Sequence, residues 1–106
     1  IYLLIKFLKM KGILRMYQCS KYNNKLNVSS KKIKELRQKN NLSLSGLSTK
    51  LALMGIDISK PSVYKLENGK RILKDYELYA LSHIFNVSIE DLLTDFISEL
   101  KDENIV

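Results

Sequence analysis

One local pattern occurs four times in this chain: a serine with an apolar residue just before it and another four residues after it. Val28-Ser29 is followed by Ile33, Leu42-Ser43 by Leu47, Ile58-Ser59 by Val63, and Val87-Ser88 by Leu92. A serine at the N-cap accepts a hydrogen bond from a backbone N–H that the first helical turn leaves unpaired, and the flanking apolar pair closes over the entry. The repetition marks four helix starts. Asp91, three residues past Ser88, comes close to a capping box, with aspartate in place of the usual glutamate.

A fifth helix is expected from about Asp75, where Asp75 and Glu77 set negative charge against the positive helix end. Leu78, Leu81 and Phe85 follow at helical spacing, and Asn86 should stop this helix, because asparagine tolerates the left-handed conformation. The second helix shows Leu47, Leu51 and Met54 on one face, with Gly46 weakening its first turn and Gly55 ending it. No stretch alternates apolar and polar residues as a strand would. The reading is all-α. It comprises an N-terminal extension and linker over residues 1–27, a compact five-helix bundle over residues 28–93, and a short acidic C-terminal tail over residues 94–106. Phe96, Ile97 and Leu100 would extend the last helix briefly into that tail.

At 106 residues, 45% of them apolar, the chain has room for one small core. Its single cysteine, Cys19, has no internal disulfide partner, and no metal-ligand spacing occurs, which suits a reducing cytoplasm and no cofactor. The single histidine, His83, lies far in sequence from Cys19, and neither a Gly-rich phosphate loop nor an acid/base constellation is visible, so no enzyme is expected. The opening "IYLLIKFLKMKGILRMYQ" is too short and too charged to span a bilayer, and its apolar run precedes its charges, unlike a signal peptide. No membrane partner is expected, and residues 1–15 are read as dispensable.

Charge is divided unevenly. Up to Lys74 the chain carries 17 lysines and arginines against three acids, a balance of +14; from Asp75 onward one lysine meets eight acids, a balance of −7. A basic front and an acidic rear suggest one face that meets a polyanion.

The densest signal is "SKPSVYKLENGKR", residues 59–71. With Ser59 as N-cap, Pro61 falls in the first turn, where its missing N–H had no intrahelical partner. Asn68 and Gly69 end the helix after about two turns. If Val63 and Leu66 face inward, Lys60, Ser62, Tyr64 and Lys65 largely face outward, which suits a short helix entering a groove by its N-terminal half. Tyr64 is read first as an aromatic partly covering the core, and Tyr76 and Tyr79 as packing residues or dimer contacts.

At these residues the chain resembles the lambda-repressor/Cro-like, or XRE, helix-turn-helix family. The carriers are "IKELRQKNNLS", "LSTKL", "ISKPSVYKLENGKR" and "YELYALSHIFNVSIEDLL", together about residues 30–93. The resemblance implies a DNA-binding domain in which Lys60, Pro61 and Lys65 read bases, with Ser62 and Tyr64 close by. It implies phosphate contacts from Ser59, Asn68, Lys70 and Arg71, and a structural ion pair joining Arg37 to Glu67. The expected partners are double-stranded DNA and a second copy of the chain, and the expected activity is sequence-specific transcriptional regulation, as a repressor. A protein-interaction module of antitoxin type, or a relative of the same fold that does not bind DNA, is the alternative. Two departures bear on docking: Leu44 stands where the family often has glutamine near the start of the second helix, and "ALMGID" makes the turn before the third helix longer.

Overall fold

The structure, a computed structural model, describes residues 24–104. Among these residues there are six helices and no strand: α1 (Ser30–Lys39), α2 (Leu44–Leu53), α3 (Lys60–Glu67), α4 (Asp75–Phe85), α5 (Ile89–Leu92) and α6 (Thr94–Asp102).

Three of the four serines cap as expected. Ser43, Ser59 and Ser88 accept through their hydroxyls from the N–H groups of Gly46, Ser62 and Asp91. Asp91 returns the bond, accepting from the Ser88 N–H at 3.1 Å, so the box closes with aspartate. Ser29 behaves differently. It is 1% exposed and caps nothing; its Oγ donates instead to the Leu92 carbonyl at 2.8 Å. The last carbonyls of a helix have no intrahelical donor, so this buried hydroxyl joins the start of α1 to the end of α5.

The first four helices also share one way of ending. Asn41, Gly55, Gly69 and Asn86 all have left-handed backbones, with φ of 57°, 79°, 70° and 54°. In each case the next N–H reaches back five residues: Leu42 to the Arg37 carbonyl, Ile56 to Leu51, Lys70 to Lys65, and Val87 to Ser82. This 6→1 bond satisfies a terminal carbonyl and turns the chain sharply. Serine starts and left-handed stops thus cut residues 29–92 into short rods.

Those rods enclose one core. Ile33 and Leu36 of α1, Leu47 and Leu51 of α2, Val63 and Leu66 of α3, Ala80, Leu81 and Phe85 of α4, and Leu92 of α5 are all buried, together with Ile58 from the turn before α3. Met54, expected on the inner face of the second helix, is instead 39% exposed. The left-handed turn at Gly55 ends α2 at Leu53, so Met54 leaves the helical period that carried Leu47 and Leu51 inward.

Both ends of the expected bundle need correction. Residues 94–102 form a sixth helix rather than a tail; none of its residues is buried, and Phe96, Ile97 and Leu100 are half-buried. The segment read as linker up to residue 27 joins the domain from Lys25 onward, where the Leu26 N–H donates to the Gly69 carbonyl at 2.7 Å. The proposed dispensability of residues 1–15, and Cys19 with it, lies outside the described residues. No helix among the described residues is long and apolar enough to cross a membrane.

Candidate nucleic-acid interface

The helix α3 packs Val63 and Leu66 fully into the core, with Glu67 6% exposed beside them. Lys60, Pro61, Tyr64, Lys65 and the C-capping Asn68 are exposed, and Ser62 is half-buried. At about 100° per residue, the five exposed positions occupy an arc of about 140°. Lys60 lies at one edge of that arc and Lys65 at the other; Tyr64, Asn68 and Pro61 lie between. Tyr64 is 57% exposed, so it does not cover the core as first read.

The N-terminal end of α3 is held locally. The Ser59 hydroxyl accepts from the Ser62 N–H at 3.3 Å and donates to the Ser62 hydroxyl at 3.1 Å. Pro61, in the first turn, fixes one backbone angle where no N–H is needed. Both serines are therefore engaged with each other, while the surface they share stays open beside Lys60.

The C-terminal end is held from three sides. Arg37 of α1 donates from Nε to Glu67 Oε2 at 2.6 Å and from Nη2 to Oε1 at 3.0 Å, a two-pronged pair. Its third nitrogen, Nη1, donates to the Leu42 carbonyl at 2.9 Å in the turn between α1 and α2. Side-chain exposures of 13% for Arg37 and 2% for Glu67 put this pair inside the protein. The hydrogen bonds that Arg37 donates to Glu67 raise its pKa, against the opposing effect of burial.

From the second side, Asn27 donates through Nδ2 to the Leu66 and Arg71 carbonyls, each at 3.0 Å, and accepts the Ser29 N–H through Oδ1. From the third, Arg71 donates to both carboxylate oxygens of Glu77 on α4, at 3.0 and 3.2 Å. Glu77, 2% exposed, also accepts the Lys74 N–H that begins α4. At the exit itself, Gly69 combines its left-handed backbone with close cover: a Cβ there would stand 2.7 Å from the Lys25 side chain.

Some of the expected site residues also make contacts within the fold. Arg71, expected at the phosphate backbone, has its guanidinium on Glu77. Asn68 turns its amide nitrogen back to the Tyr64 carbonyl at 2.8 Å. Lys60, Lys65 and Lys70 are exposed and form no ion pair among the described residues.

The longer turn before α3 is packed. Ile58 is buried, Ile56 packs against the core, and the Ser48 hydroxyl of α2 donates to the Ile58 carbonyl. Leu44 likewise lies against the core.

Two residues central to this arrangement escaped the sequence reading. Asn27 sat in an asparagine-rich stretch that looks like linker, and nothing in its neighbours distinguishes it. Glu77 was read only as a charge at a helix start; its spacing of six residues from Arg71 across a turn was a usable signal. No group of acids, histidine and cysteine among the described residues could hold a metal ion.

The helix-turn-helix family model of XRE, lambda-repressor-like type matches residues 33–92, which run from α1 through α5 and make up more than half of the chain. No curated protein and no solved structure matches the chain. The serine-started helices and the short α3 thus belong to a family fold: the chain belongs to the XRE, lambda-repressor-like helix-turn-helix family of DNA-binding regulators.

Proposed function

We propose that this chain is a sequence-specific, double-stranded DNA-binding repressor that places α3 in the major groove. The observation that supports this most is the exposed arc of α3. Lys60, Pro61, Tyr64 and Lys65 project together from a helix whose far end is locked to α1 and α4. A helix presented this way can enter the groove by its N-terminal half without its orientation drifting. Lys70 and Ser59, at the two ends of the helix, are the phosphate-side contacts in this reading. Arg71 supports the site from behind.

The chain acts in this reading as a homodimer in the cytoplasm, without catalysis, and represses by occupying its operator. Ile72, Tyr76 and Tyr79 are 59%, 52% and 60% exposed around the start of α4, and they form the apolar surface offered to the second copy. A two-fold dimer should bind half-sites about 10 base pairs apart.

Selection of bound duplexes from a random pool tests the proposal. A palindromic enriched motif, bound with an affinity that falls steeply with salt, is the expected result. Absence of enrichment, or binding indifferent to salt, would favour a protein-docking role for the same bundle.

A further inference from the structure

The chemistry along the α3 arc also bears on which base features are read. Its centre is carbon-rich. Pro61 and Tyr64 lie between the edges marked by Lys60 and Lys65, and Tyr64 is 57% exposed. In the major groove, cytosine offers an amino donor, which needs an acceptor such as a carboxylate. The exposed arc holds no carboxylate, since the helix's one acid, Glu67, is buried on Arg37. Adenine is read by a two-pronged amide. Asn68 carries the only amide on the arc; it caps the end of the helix furthest from Lys60, with its nitrogen turned onto the Tyr64 carbonyl. The first-turn hydroxyls of Ser59 and Ser62 are bonded to each other.

Apart from the hydroxyl at the tip of Tyr64, the Pro61 and Tyr64 surface is carbon, and the base feature that rewards apolar contact is the C5-methyl group of thymine. Pro61 is rigid and Tyr64 has only two side-chain torsions, so both present carbon surface at little entropic cost. The two lysines, about 140° apart around the helix axis, suit acceptors on either side of that contact: guanine O6 and N7, or phosphate oxygens.

We infer that this protein selects its operator by contact of Pro61 and Tyr64 with thymine methyl groups, with Lys60 and Lys65 flanking that contact. The inference rests on the DNA-binding reading above.

The test uses the full chain and the duplex enriched from a random pool. Each thymine is replaced in turn by deoxyuridine, which pairs identically and lacks only the methyl. The expected result is weaker binding at one or two thymines per half-site. The loss should be about fourfold for each methyl, the factor equivalent to roughly 0.8 kcal/mol per buried carbon at about 1.4 kcal/mol per tenfold. Tyr64→Ser should bind the thymine duplex more weakly and lose most of its sensitivity to at least one of those replacements. If the wild-type chain prefers the enriched duplex over a scrambled one but ignores every deoxyuridine, methyl reading is wrong and the DNA-binding reading stands. If it does not prefer the enriched duplex at all, both fail together.

Discussion

The two ends of α3 are built on opposite plans. Its C-terminal exit is buried and cross-linked: Glu67 to Arg37, Asn27 to two carbonyls, Arg71 to Glu77. Its N-terminus is held mainly by a serine cap and a proline, and Lys60, Pro61, Tyr64 and Lys65 form an exposed face. Contacts that fix orientation are concentrated in the buried exit, while Lys60 and Lys65 on the exposed face form no ion pair among the described residues. On the proposed function, this difference divides stability from recognition along a helix of eight residues, so substitutions in the buried exit and on the exposed face should have separable consequences.

The largest effect is expected from Glu67→Ala. Removing one member of a buried pair leaves an uncompensated charge, and the fold should lose about 3 kcal/mol. Glu35→Ala, on the exposed side of α1, should leave stability nearly unchanged. Urea denaturation of the two variants measures the contrast, and equal, small losses would remove the distinction between the ends.

Asn27→Ala comes next. It strips donors from the Leu66 and Arg71 carbonyls and an acceptor from the Ser29 N–H, and should destabilise by about 2 kcal/mol. A chain whose urea midpoint is unmoved by this change would show that residue 27 is linker after all.

At the exposed lysines the effects should appear in binding. Lys65→Ala is expected to cost about 1–3 kcal/mol on the enriched duplex and much less on scrambled DNA, relaxing preference at one base pair. Lys70→Ala, just past Gly69, should weaken all duplexes alike and reduce the salt slope by about one. Titrations at several salt concentrations distinguish the two. If Lys65→Ala lowers both affinities equally, its ammonium holds the backbone only.

The same division governs how much could be read in advance. Helix starts were legible because a serine between two spaced apolar residues is a local signal with a local cause. The stops at Gly55, Gly69 and Asn86 were legible because left-handed backbone restricts residue choice. Ser29 looked like the other three serines, yet its hydroxyl bonds to Leu92, a partner 63 residues away. No neighbouring residue encodes that choice.

At the site, the outward face of α3 followed from two inward residues, Val63 and Leu66. The engagement of Arg71 did not, because a basic residue after a helix looks the same whether it faces phosphate or a buried carboxylate. The sixth helix was underestimated because Phe96, Ile97 and Leu100 carry helical spacing only briefly, among six acids between residues 90 and 103.

The central claim is that the exposed face of α3 reads DNA while the buried contacts at its exit hold the helix in place. The double variant Lys60→Ala/Lys65→Ala tests it most directly, by its affinity for the enriched duplex and its thermal unfolding in the same buffer. Affinity should fall by at least about 5- to 150-fold, as losing about 1–3 kcal/mol requires, with Tm unchanged. A Tm that drops along with affinity, or an affinity that does not move, would contradict the account.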